Sequence, residues 1–177
     1  MAVSDHQMVE AWRQVLTLSK LEAGQVVTIL TGGSTHPQTL RCAIAADSAL
    51  GALVNCLDLP PVNGEKALSR DALSYLGTTP LTGNRAAIAA LKESDLVLDL
   101  MTLLFSPEQH EILKGGTKIL LAVEPPEVLC RILPSLTDRE RVMAAAARIE
   151  GATEMHVTSP AGTDLRCALG QFPAIRE

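Results

Sequence analysis

Aromatic side chains are almost missing: Trp12, Tyr75, Phe105 and Phe172 make up 2% of 177 residues. A core must then come from Leu, Val, Ile and Ala, a set that suits helices laid on a parallel sheet. Excess positive charge is missing too. A net charge of -5 and a pI near 5.4 argue against nucleic acid or an anionic membrane as partner. No run reaches the roughly 18 consecutive apolar residues of a membrane span. The amino terminus is polar through Gln7, with neither the cationic nor the apolar segment of an export signal, so a cytoplasmic location is expected. Cys42, Cys56, Cys130 and Cys167 form no CxxC pair and no zinc-like spacing. Each lies in an apolar stretch and is read as a reduced, buried thiol.

Several chemical signatures are also lacking. Gly32-Gly33-Ser34 sits between a strand pattern and a helix pattern, where backbone N–H groups can hold an anion. It has neither GxGxxG spacing nor a P-loop lysine, so a plain strand-to-helix turn is the better explanation. His6, His36, His110 and His156 share no helical face and form no HExxH or HxH. They are expected at caps and on the surface, and no metal ligand is assigned. No GxSxG elbow accompanies the serines.

What is there is 47% apolar sequence in short runs, enough for a single core. Leu96–Leu100 and Lys118–Val123 do not alternate, and each is expected to be a strand covered on both faces. Val26–Leu30 and Leu53–Leu57 are expected as the first two strands, and Met155–Thr158 and Leu165–Ala168 as closing strands around Gly162. Ser4 with Gln7 forms a capping box for a helix ending near Lys20. Thr35 or His36 caps a helix from Pro37, Asn84 one to Glu93, and Ser106 one to Leu113. Pro126–Ile132 makes a helical turn or two, and Thr137 with Glu140 caps a helix to Glu150. A short helix is expected between Arg70 and Tyr75. The alternation predicts an α/β fold: a doubly wound, mainly parallel, Rossmann-like sheet with helices on both faces.

In such sheets ligands collect beyond the carboxyl ends of the strands. Phe105-Ser106-Pro107-Glu108 and Glu124-Pro125-Pro126-Glu127 follow the two central runs. Asp99, Glu124 and Glu127 are therefore site groups or loop anchors, and Thr102, Leu104 and Phe105 would shape a pocket wall.

Five stretches carry a resemblance: Leu81-Thr82-Gly83-Asn84, Asp95-Leu96-Val97, Ser106-Pro107-Glu108-Gln109, the run from Ile119 to Leu129, and Leu169-Gly170-Gln171 with Pro173. Together they resemble the 2,5-dihydroxypyridine 5,6-dioxygenase family of nicotinate degradation. Gly162-Thr163-Asp164-Leu165 is similar to aminopeptidase T-type metallopeptidases. The first resemblance implies Fe(II)-dependent, extradiol-like ring opening, with a small aromatic substrate and dioxygen meeting on iron held by two histidines and a carboxylate. It also implies that the iron ligands lie downstream, in a second lobe of a protein about twice this length. On that basis residues 1–160 form an α/β amino-terminal lobe and 161–177 begin the connection to a carboxyl-terminal, metal-binding lobe. A homo-oligomer is expected. Leu104 and Phe105 become substrate-binding candidates and Glu177 a catalytic one. The family pattern places an acid/base histidine just before Ser-Pro-Glu-Gln. Here that position is Phe105, and a phenyl ring cannot transfer a proton. A metallopeptidase of aminopeptidase T type and a non-catalytic binding module are the alternatives.

Overall fold

The computed structural model describes residues 2–60, 79–104 and 106–170. Helix α1 (Asp5–Leu18) starts where the sequence says. The Ser4 hydroxyl accepts from the Gln7 N–H at 3.2 Å, and Gln7 Oε1 accepts the Ser4 N–H at 3.0 Å. Met8, Ala11, Trp12 and Leu16 recur at helical spacing and are buried. Then come β1 (Val26–Thr31), α2 (Pro37–Ala49), β2 (Leu53–Asp58), α3 (Arg85–Lys92), β3 (Leu96–Asp99), α4 (Pro107–Lys114), β4 (Lys118–Leu121) and α5 (Pro126–Leu129). His36 caps α2, its Nδ1 accepting from the Gln38 N–H at 3.2 Å; Asn84 and Ser106 cap α3 and α4. The expected helix between Arg70 and Tyr75 lies outside the described residues.

Strands β2, β1, β3 and β4 pair in that order, all parallel. Side chains alternate across the sheet and fill two cores. Val27, Ile29, Leu96 and Leu98 pack with Met8, Trp12 and Leu16 of α1 and with Cys42, Ala43 and Ala46 of α2. Leu30 and Val97 pack with Ala87, Ile88 and Leu91 of α3, Ile112 of α4, and Leu81, Met101 and Leu103. Helices thus cover both faces, as a doubly wound α/β sheet requires.

One expectation about the sheet fails. Lys118–Val123 was read as a central strand buried on both faces, like Leu96–Leu100. Among the described residues β4 is an edge strand, with Lys118 exposed and Ile119, Leu120 and Leu121 only half-buried. The centre is β1 beside β3, and all of β3 is buried. The cysteines depart as well. Cys42 is buried, but Cys56 lies exposed on edge strand β2, and Cys130 and Cys167 are intermediate.

Asp47, on the buried side of α2, is 0% exposed, and neither carboxylate oxygen has a hydrogen-bond partner among the described residues. Burial pushes its carboxyl up to about 7.

The chain divides into two compact units, Met1–Leu133 and Pro134–Glu177. The second holds α6 (Leu136–Glu150) and the strands β5 (Glu154–Thr158) and β6 (Asp164–Ala168). Ser135, not Thr137, caps α6: its hydroxyl accepts from the Asp138 N–H at 3.2 Å, while Asp138 Oδ2 accepts the Ser135 N–H at 2.9 Å. Among the described residues, strands β5 and β6 pair only with each other, antiparallel, and do not extend the parallel sheet. No helix among the described residues is long and apolar enough to cross a membrane.

Candidate functional site

Asp99 closes β3 and is 0% exposed. Its Oδ1 accepts the N–H groups of Met101 at 3.0 Å and Thr102 at 2.8 Å; its Oδ2 accepts that of Leu103 at 2.5 Å. Burial pushes this carboxyl above its ordinary range, and the three backbone donors pull it back. The three bonds wrap the chain around one side chain. Thr102 consequently sits at φ 76°, in the left-handed region that a β-branched residue rarely enters. Strain of this kind persists where surrounding bonds over-determine it, and such positions cluster at functional loops. Of the two roles open to Asp99, the geometry selects loop anchor.

Neighbouring loops are tied to this one. The Thr35 hydroxyl donates to the Leu100 carbonyl at 3.0 Å and accepts the Gly32 N–H at 3.0 Å, which joins the turn after β1 to the turn after β3. A Cβ on Gly32 would stand 3.3 Å from the Met101 Cβ, so a side chain there would push the two turns apart by a few tenths of an ångström. Gly32-Gly33-Ser34 is thus a packed turn, with the Gly32 N–H committed to Thr35. On the other side, Thr82 donates to Glu108 Oε1 at 2.5 Å. That bond joins two of the resembling stretches, Leu81–Asn84 and Ser106–Gln109. Glu108 is 8% exposed, and its Oε2 is buried without a hydrogen-bond partner among the described residues.

Leu104 stands in a turn at the end of the Asp99-anchored loop, half-buried, beside the fully buried Leu103. Phe105 and Glu177 lie outside the described residues. Glu124 and Glu127, after β4, are exposed. The four histidines stay apart. His6 is exposed, His36 caps α2, His110 Nδ1 donates to the Ser106 carbonyl at 2.9 Å, and His156 pairs with Asp164 at 2.6 Å. Among the described residues no three His, Cys, Asp or Glu side chains converge to hold a metal ion. With Asp99 committed to backbone donors as well, these residues do not fit an iron centre. A groove of about 630 Å³ runs along α1 past His6, Glu10, Gln14, Cys130 and Leu133, and none of the described residues of the loop after β3 lines it. Sequence reasoning singled out Asp99 but missed Thr35 as a bridge and Glu108 as an acceptor. A Thr three residues past the Gly32 turn and a Glu in the first turn of α4 were the available signals.

A parallel, doubly wound sheet with an anchored loop beyond its central strands defines the class: an open α/β protein, a class in which ligands collect beyond the carboxyl ends of the strands. The particular family follows from comparison. The 2,5-dihydroxypyridine 5,6-dioxygenase family matches residues 7–177, and the chain belongs to it. It is 46% identical, over all 177 residues, to 2,5-dihydroxypyridine 5,6-dioxygenase of Pseudomonas putida, and spans 51% of that protein's length. The solved structure of the 2,5-dihydroxypyridine dioxygenase from Pseudomonas putida KT2440 superposes with a TM-score of 0.90, over 99% of this chain and 51% of that one. AmpT from Thermus thermophilus shares the fold at 16% identity and a TM-score of 0.52, over 93% of this chain and 53% of its own. The chain thus corresponds to about half of its dioxygenase relatives, the amino-terminal part.

Proposed function

We propose that this chain is the amino-terminal part of a cytoplasmic 2,5-dihydroxypyridine 5,6-dioxygenase-like enzyme, which opens a hydroxylated pyridine ring with dioxygen in nicotinate degradation. The observation that carries this reading is identity of 46% across every residue of the chain with an enzyme of that name. In the reading, Fe(II) activates dioxygen and ring when bound, and its ligands belong to the remaining half of the family fold. This chain supplies shape. The loop anchored by Asp99 presents Leu104 and Phe105 as a wall of the substrate pocket, and Glu177 stands near the reacting ring. Because Phe105 occupies the position of the acid/base histidine, proton transfer at the ring hydroxyl needs another group or a substrate that does not require it.

The test is oxygen uptake on 2,5-dihydroxypyridine, anaerobically loaded with Fe(II), by this chain combined with the half of the Pseudomonas putida enzyme that it does not match. Stoichiometric uptake with ring opening is expected. Peptide cleavage without oxygen uptake would replace the reading with a metallopeptidase, and inactivity in both assays with a binding module.

A further inference from the structure

The hairpin of β5 and β6 has two unlike faces. Its register pairs Glu154 with Ala168, His156 with Arg166 and Thr158 with Asp164 on one side, and Met155 with Cys167 and Val157 with Leu165 on the other. The first face satisfies itself: Arg166 donates to Glu154 at 2.9 Å, and His156 pairs with Asp164 at 2.6 Å. The second face is apolar and uncovered, with Met155 43%, Val157 40% and Leu165 49% exposed. Helix α6 repeats the pattern. Val142, Ala146 and Ile149 fall at i, i+4 and i+7, yet only Ala146 is buried, and Val142 and Ile149 are exposed.

A two-stranded hairpin is marginal in water unless a further strand or helix covers its apolar face. A clustered apolar surface on one unit marks a contact site. The occupant is indicated by the relatives. The family match runs through this hairpin to residue 177, and the superposable dioxygenase has as much chain again beyond the matched half.

We infer that the apolar face of the β5–β6 hairpin, centred on Val157 and Leu165, is the surface on which the remaining half of the dioxygenase fold docks. The inference rests on the dioxygenase reading only for the identity of that half. Burial of the Leu165 side chain at such a contact sets the scale, about tenfold or more in affinity on truncation to a polar residue.

The experiment is co-expression of the 177-residue chain with the unmatched half of the Pseudomonas putida enzyme, read by sedimentation and by amide exchange over 154–168. A one-to-one complex that slows exchange in the hairpin is expected. Leu165→Thr keeps a strand-forming residue and should weaken the complex about tenfold or more, while Arg166→Thr on the opposite face should change it less than about threefold. Circular dichroism of both variants checks that the hairpin persists. A complex indifferent to Leu165→Thr, association of this chain only with itself, or no complex would each overturn the inference. Oxygen uptake is scored separately, so a complex without turnover refutes the dioxygenase reading and leaves the docking surface standing.

Discussion

Asp47→Asn is the perturbation whose magnitude the structure sets most directly. The Asp47 carboxyl is fully buried, neither oxygen has a hydrogen-bond partner among the described residues, and burial raises it from 3.8 to about 7. At about pH 3 and below the group is protonated in both folded and unfolded chains, and it does not oppose folding. As pH rises, the unfolded chain releases this proton first, while the folded chain holds it until about pH 7. The folded state thereby binds more protons than the unfolded one, so stability falls as pH rises through this window. The linkage removes on the order of 4 kcal/mol by the alkaline end. That is a large share of the ~5–15 kcal/mol that stabilises an ordinary domain. Asparagine keeps the shape and removes the titration. Urea unfolding at about pH 3 should therefore give the two proteins midpoints that nearly coincide, and at pH 8 a clearly higher midpoint for Asp47→Asn. Asp99 is raised in the same direction but is present in both proteins, so the difference isolates Asp47. Parallel pH profiles, or a variant less stable at pH 8, would refute the argument.

Asp99→Ala leaves the N–H groups of Met101, Thr102 and Leu103 without their acceptor. Each orphaned buried donor costs ~1–3 kcal/mol, offset in part by removal of a buried carboxyl, so a loss of roughly 2–5 kcal/mol is expected. Denaturant unfolding measures it, with fast amide exchange at those three residues as the local sign. Ser135→Ala should cost α6 ~0.5–2 kcal/mol by thermal unfolding, and Thr137→Ala much less, because Ser135 holds the cap. In the assembly with the remaining half, Phe105→His should raise dihydroxypyridine turnover by ~10²–10⁴-fold, the usual worth of a positioned acid/base. Unchanged turnover with stability intact would place proton transfer elsewhere.

How much of this was legible in the sequence depends on how local the cause is. Caps at Ser4, Asn84 and Ser106 need only a few neighbouring residues, and all three form as read. Ser135 was missed because two cap patterns overlap. Ser135 precedes Asp138 by three and Thr137 precedes Glu140 by three, and the helix adopts the earlier one. Edge and centre are not local. Ile119-Leu120-Leu121 looks like Leu96-Val97-Leu98 because apolar content records which faces are greasy, not how many strands lie alongside. Exposed Lys118 was the only warning within the strand. The hairpin did announce itself. Glu154, His156 and Thr158 alternate with Met155 and Val157, a period of two that buried parallel strands lack. The α/β class and the strand-end loop were legible. The three backbone bonds to Asp99 and the link from Thr82 to Glu108 were not, since both depend on loop conformation.

The geometry also decides what kind of work the described strand-end groups can do. A general base or metal ligand needs a free lone pair aimed at the reacting atom. Asp99 directs both oxygens at its own backbone. Glu108 gives one oxygen to Thr82 and keeps the other buried, while Glu124 and Glu127 stand exposed after β4. Each carboxylate near the loop is therefore occupied with structure or turned to solvent. The role of Thr35, Asp99 and Glu108 is positional: their hydrogen bonds tie together the turns after β1 and β3 and the start of α4. On the dioxygenase reading the sequence has Phe105 where the family pattern has an acid/base histidine, and the described anchoring bonds belong to Thr35, Asp99 and Glu108, so restoring the histidine is expected to restore proton transfer without loss of those bonds.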